Sequence, residues 1–305
     1  MKIEYVSKNF TGKSLDLLST IDTILESYAA QGYDLSVRQV YYQLVARDFI
    51  PNTQRSYKNI ASLINDGRLA GFLDWDMIVD RGRHMIYPPH WDNPAQIVRA
   101  AAEQFRVDRW LGQSWHVEVM VEKQALEGVL EPVCNREDVR FTANKGYVSQ
   151  SIMYLAAERI ARAVKQGKDC AIIYLGDHDP SGLDMDRDLA DRYNVFLWGN
   201  SDVEVERIAL TWDQIEQYQP PENPAKTTDS RYRAYIAQFG GSSWELDALE
   251  PSVLADLVTR AIRSYRDDHL WDDAIKVEKQ MRRELTKFAK EYEERNATDN
   301  PEDPA

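Results

Sequence analysis

The chain has 305 residues, enough for two domains and a substantial core. Apolar residues make up 43% and charged residues 29%, with 8 Trp and 16 Tyr, which excludes a disordered polymer, while two cysteines, Cys134 and Cys170, exclude a disulfide framework or a zinc set. A net charge of −13 excludes a general nucleic-acid coat; with no bilayer-spanning stretch and no signal-peptide core at the amino terminus, the expected location is the cytosol and no membrane partner is expected.

The charge is unevenly spread. Residues 1 to 112 carry 13 basic and 13 acidic side chains, against 14 and 23 over residues 201 to 305. Any DNA contact is therefore expected from the first third.

Leu15, Leu18, Ile21, Ile24, Leu25 and Tyr28 recur at helical spacing after Ser14, and Gly32 follows as a stop, which predicts a helix over 14 to 31. A second helix begins after Ser36. On its wheel Val40, Tyr41, Leu44 and Val45 share an apolar sector, whereas Tyr42 lies outside it, on the same side as Arg38 one turn earlier. Tyr41 reads as core and Tyr42 does not. A third helix, about 54 to 66, ends at Gly67 and presents Arg55, Lys58, Asn59, Ser62 and Asn65. FLDWDMIVDRGRHMIY then reads as two short strands around Arg81-Gly82-Arg83. Three helices and a basic hairpin suggest a winged helix-turn-helix, with a small helical domain of ordinary surface charge as the alternative.

PPHWD, residues 88 to 92, breaks the chain before an Ala-rich helix from about 93 to 107 and marks the expected domain boundary. Strand and helix then alternate. WHVEVMVEK is a strand ending at Glu122 and QALEGVLEPV a helix; VRFTA is a strand ending at Asn144-Lys145-Gly146 and SQSIMYLAAERIARAV a helix. CAIIYLGD, a helix from about 181 to 192 and the short strand VFLWG follow. That rhythm predicts an α/β fold with a mostly parallel sheet and functional groups at the carboxyl ends of its strands, where Glu122, Lys145, Asp177 and Asp179 all fall. Asp177 and Asp179, two apart after an apolar strand, suit a magnesium ion; an acidic loop capping the next helix is the alternative. His178 between them reads as an exposed loop residue.

VEKQAL with Glu122, ANKGY with Lys145 and Gly146, and GDHDPSG with Asp177 and Asp179 resemble the three signatures of a Toprim domain, in the version found in topoisomerase VI A subunits and the related meiotic double-strand-break transesterase. Those relatives carry an upstream winged helix with a signature of the form RDIYY, which Arg38-Gln39-Val40-Tyr41-Tyr42 matches with Gln in place of Asp. The resemblance covers about residues 15 to 200. It implies a winged-helix DNA-binding domain over 1–90, a linker helix over 91–112 and a Toprim domain over 113–200; beyond it, DALEPSVLADLVTRAI reads as a loop and amphipathic helix within an α-rich packing or dimerisation extension over 201–290, and the polar NATDNPEDPA as part of a disordered tail over 291–305. It also implies Tyr42 as the nucleophile, a metal held by Glu122, Asp177 and Asp179, Mg2+ or Mn2+ in its place, and phosphate contacts from Arg38 and Lys145. Tyr42 and the carboxylates fall on different domains and need not meet within one chain, so the resemblance implies a homodimer that completes the site and cuts both strands of double-stranded DNA. No Gly-rich phosphate loop is present, so strand passage would need a separate ATPase B-type subunit. The competing readings are a Toprim nuclease that uses water, a non-catalytic DNA-binding module and a primase.

Overall fold

Three capped helices open the chain in this computed structural model, which describes residues 2–79, 88–199 and 203–297. Thr11 caps α1 (Gly12–Ala29), Ser36 and Gln39 form a capping box on α2 (Val37–Ala46), and Thr53 caps α3 (Gln54–Leu69). The apolar stripes meet in one core: Leu18, Ile21 and Leu25 of α1, Val40 and Leu44 of α2, Ile60 and Ile64 of α3. Helix α3 runs through Gly67, the expected stop. A Cβ there would stand 2.5 Å from Leu18 Cδ2, so the glycine permits close approach of α1 to α3. The first expected hairpin strand is instead a series of turns with one bridge, Ile78 to Leu35; the Arg81-Gly82-Arg83 tip lies outside the described residues.

The chain divides into two units, one of residues 1–83 with 116–265 and the other of 84–115 with 266–305. After α4 (Pro94–Gln104), the first unit continues as β1 (Trp115–Val121), α5 (Glu127–Arg136), β2 (Arg140–Ala143), α6 (Gln150–Lys165), β3 (Asp169–Leu175), α7 (Gly182–Phe196) and β4 (Val203–Ala209). The four strands form a parallel sheet in the order β2-β1-β3-β4. Met120, Cys170, Ile172 and Tyr174 on one face pack with Met153, Ala156 and Ile160 of α6 and Met185, Leu189 and Tyr193 of α7. The helix Pro251–Ser264 packs with α5, β3 and β4. The expected strand VFLWG is absent: α7 extends to Phe196 because Leu189, Tyr193 and Leu197 recur every fourth residue against this core. The fourth strand is VEVERIA, where Val203 and Val205 alternate with Glu204 and Glu206. Cys134 and Cys170 are buried and free.

The first unit then adds α8 (Trp212–Tyr218), β5 (Glu222–Pro224), α9 (Tyr232–Phe239), β6 (Ser242–Trp244) and α10 (Pro251–Ser264), with β5 and β6 antiparallel. In the second unit the 30-residue α11 (Asp268–Ala297) packs with α4. Its buried Glu278 accepts from Arg109 at 2.8 Å, and the Trp271 ring lies under the guanidiniums of both Arg109 and Arg266. Among the described residues no helix is long and apolar enough to cross a membrane.

Candidate functional site at the sheet switch point

Strand order reverses between β1 and β3, and a crevice opens beyond the carboxyl ends of strands at such a point. The Glu122 N–H donates to Leu175 O at 2.9 Å, which places the residues after both strands side by side. Glu122 is buried and its Oε2 accepts from the Asp177 N–H at 2.9 Å. Burial, with Asp179 nearby, raises its pKa.

Asp177 and Asp179 are both buried but do different work. Asp177 Oδ1 accepts from the Leu246 N–H at 2.8 Å and from the Lys123 ammonium at 2.8 Å. Asp179 Oδ1 accepts from the Ser181 N–H, the Ser181 hydroxyl and the Gly182 N–H, tying down the first turn of α7. Helix capping and clustering thus coexist. Burial pushes the Asp179 pKa up, but the Gly182 and Ser181 bonds and Lys226 outweigh it and hold the carboxyl below its ordinary range.

Gly182 has no room for a side chain. A Cβ would overlap the Asp177 carbonyl oxygen and come within 3.2 Å of Asp179 Oδ1. Because one of the clashing groups is backbone, Gly182→Ala is expected to cost about 2 kcal/mol through a forced shift of the loop. Thermal unfolding checks this; an unchanged Tm would mean that the loop gives freely.

Tyr42 is the main departure from the wheel. It is 4% exposed, within the core of the first three helices, because Leu246–Ala248, from the far end of the unit, covers the face that the isolated helix would leave open. A wheel registers only a helix's own residues, not what packs on it. The Arg38 guanidinium donates to Tyr42 Oη at 3.3 Å and to Glu245 Oε2 at 2.8 Å, and its Nε lies 3.1 Å from Asp247 Oδ2. Lys123 bonds Glu245 as well, and Asp247 at 2.8 Å. One network therefore runs from Tyr42 through Arg38, the Glu245–Asp247 pair and Lys123 to Asp177. Tyrosine and strand-end carboxylates meet within one unit of a single chain.

The electrostatics reflect a surplus of carboxylate. Burial, joined by Asp247 and Glu245, pushes the Tyr42 phenol up to about 12, against the opposing pull of Arg38 and Lys123. Lys123 loses solvation on burial, yet Asp247, Asp177 and Glu245 raise its pKa well above the ordinary value. Asp177 is also raised, by burial first and then by Glu122, Glu245 and Asp247 in spite of Lys123. The carboxylates contribute to both shifts, adding to the effect of burial at Asp177 and overcoming it at Lys123.

Lys145 stands at the end of β2, where its backbone bridges that of Lys123, but its side chain is exposed and outside the network. His178 is buried rather than exposed. Trp212, Tyr235, Phe239 and Trp244 surround its ring, Nδ1 lies 2.9 Å from Tyr235 Oη, and burial followed by Arg207 pushes its pKa down to about 4. These aromatics all come from beyond residue 200, which the local GDHDPSG pattern does not register.

Sequence reasoning passed over Lys123, Arg207, Glu245 and Asp247. Arg207 of β4 donates to the carbonyls of Gly176 (3.3 Å), Asp177 (3.4 Å) and Gly182, binding both ends of the aspartate loop. In WELDAL the two acids alternate with Trp244, Leu246 and Ala248, all buried; charge interleaved with apolar residues was the available signal.

Magnesium requires hard oxygen ligands converging on one point. The donors here are oxygens, but among the described residues no three Asp, Glu, His or Cys side chains are grouped to hold a metal. Asp177 Oδ1 is bonded to an ammonium and Asp179 Oδ1 to a helix terminus. As arranged, these residues do not form a metal cage. Comparisons of the chain with protein-family models, curated proteins and solved structures give no match in any of the three.

Proposed function

We propose that the chain cuts double-stranded DNA by tyrosine transesterification, in the manner of topoisomerase VI A subunits. Tyr42 Oη attacks a backbone phosphorus as the phenol gives up its proton; a phosphotyrosyl bond forms to the 5′ end, and the 3′ oxygen leaves and takes a proton. In this reading α1–α3 are the helical part of a winged helix and β1–β4 the core of a Toprim domain. The observation that carries it is the connected network from Tyr42 and Arg38 to Asp177 at the switch point of the parallel sheet.

A phenol raised to about 12 is a weak nucleophile, so fixed positive charge beside it is the requirement of the chemistry. Arg38 meets it, since its guanidinium contacts Oη and stays charged. Arg55, Lys58, Asn59, Ser62 and Asn65 are exposed on α3 and suit a duplex backbone, with Lys145 a further phosphate contact. The carboxylates that would hold Mg2+ or Mn2+ are bonded to the chain's own cations and backbone. A homodimer would cut both strands, and strand passage would require a separate ATPase B-type subunit.

Burial of Tyr42 favours a second reading, a Toprim nuclease that hydrolyses DNA with water and uses the tyrosine structurally. Denaturing electrophoresis of a supercoiled plasmid reaction, with and without proteinase, separates the two. Transesterification leaves protein on 5′ ends, released only by proteinase; cleavage with free 5′ phosphates overturns it, and no cleavage with either cation overturns both.

A further inference from the structure

Lys123 directs its ammonium into the carboxylates and bonds three of them, Asp177 Oδ1 and Asp247 Oδ1 at 2.8 Å each and Glu245 Oε2. An ammonium has three N–H donors, and here each has a carboxylate. The Lys123 side chain is 16% exposed and that of Asp247 fully buried, so water contributes little to either. Glu122, the neighbouring residue, accepts from the Asp177 N–H at 2.9 Å.

We propose that the Lys123 ammonium is the resident cation of these strand-end carboxylates, and that a divalent cation binds Asp177 only in exchange for it. Three considerations lead there. A hard divalent ion and an ammonium seek the same oxygens, and Asp177 Oδ1 already accepts from Lys123 and from the Leu246 N–H. Two cations held against one carboxylate repel strongly in a site closed to water. Asp177, Glu245 and Asp247 set three carboxylates against the two cations Lys123 and Arg38, so exchange of a single charge for a double one relieves the surplus.

The exchange reaches Tyr42. Glu245 and Asp247 each hold both Lys123 and Arg38, so an ammonium leaving Asp177 changes what those two acids offer the guanidinium beside the phenol. Cation binding at the strands and pairing at the tyrosine helix are thereby linked through two carboxylates.

This inference rests on reading Asp177 as a cation site, but its tests measure binding and not cleavage, so it can fail while the transesterase reading stands. Free Mn2+ is titrated by electron paramagnetic resonance against the full chain and against Lys123→Met, Lys123→Gln and Lys123→Arg. The neutral variants are expected to bind one Mn2+ about tenfold or more tightly than the parent, while the arginine variant, which keeps the charge, stays weak. Should Lys123→Met fail to fold, Lys123→Gln retains donors to the acids and decides the point. In parallel, acylation of the parent's lysines is followed by mass spectrometry: Mg2+ should raise modification of Lys123 selectively. Equal Mn2+ affinity in parent and neutral variants, no binding in any of them, or Lys123 acylation unaffected by Mg2+ would each overturn the exchange.

Discussion

A Tyr42→Phe chain is expected to fold, to bind DNA and to leave no protein on DNA ends. The substitution removes one oxygen. The ring keeps its place among the buried residues of α1–α3 and its edge contact with Tyr41, 5.2 Å between centroids. The bond lost, from Arg38 at 3.3 Å, is long, and Arg38 retains both Glu245 and Asp247, so the cost in stability is about 1 kcal/mol or less. Chemistry responds on a different scale. The phenol is the proposed nucleophile, and Tyr41 cannot replace it, because the Tyr41 hydroxyl is engaged with Asn52 Oδ1 at 2.8 Å. Adduct formation should fall by about 10⁴-fold or more, the order seen when a covalent nucleophile is deleted. Phenol extraction of labelled DNA before and after proteinase measures it. Undiminished cleavage by the phenylalanine chain would leave the hydrolytic reading in possession.

The largest effect on stability should come from Arg159→Ala, on the helical face of the sheet. Glu118 of β1 is 1% exposed and accepts from Arg159 Nε and Nη2, both at 2.7 Å, with His116 Nε2 at 3.0 Å. Burial pushes the Glu118 pKa up, but the bonds from Arg159 and His116 overcome it and hold the carboxyl below its ordinary value. In the parent, that lowered pKa contributes stability that is present above the unfolded-state value and lost as pH falls through the folded-state one. Without Arg159 the burial effect dominates, and a charged carboxylate is stranded beneath α6. The expected loss at neutral pH is about 3–5 kcal/mol, lessening on acidification as Glu118 takes up a proton. Urea unfolding of both chains at neutral and mildly acidic pH provides the measurement; a gap between them that is small at neutral pH, or grows on acidification, would contradict this account.

What the sequence made legible was set by range. Periodicity located α1, α2, α6 and the first three strands, because each segment's apolar residues bury against a face determined locally. Strand ends then placed Glu122 beside Asp177, with Asp179 two residues on, and alternating strands and helices indicated the parallel sheet. VFLWG was misread since a short apolar run fits a strand or the end of a helix equally well, and Tyr193 four residues after Leu189 decided for helix. The burial of Tyr42 and His178, and most partners of Arg38 and Lys123, depend on residues 207 to 248, whose contribution is made at a distance; the alternation in WELDAL marks a buried segment but not what it packs against.

Arg38, Lys123, Asp177 and Asp247 also impose an order in time. The chain is made from its amino terminus, and early segments begin to fold as they emerge. Helices α1–α3 can gather their core soon after synthesis, yet among the described residues the carboxylate partners of Arg38 are Glu245 and Asp247, more than two hundred positions later. Closing so long a loop is slow, and it comes late in folding. A nascent or prematurely terminated chain would thus carry the tyrosine helix without the network that joins it to the strands. Synthesis through residue 247 is itself a precondition for a closed site, which keeps a shorter nascent chain from presenting one.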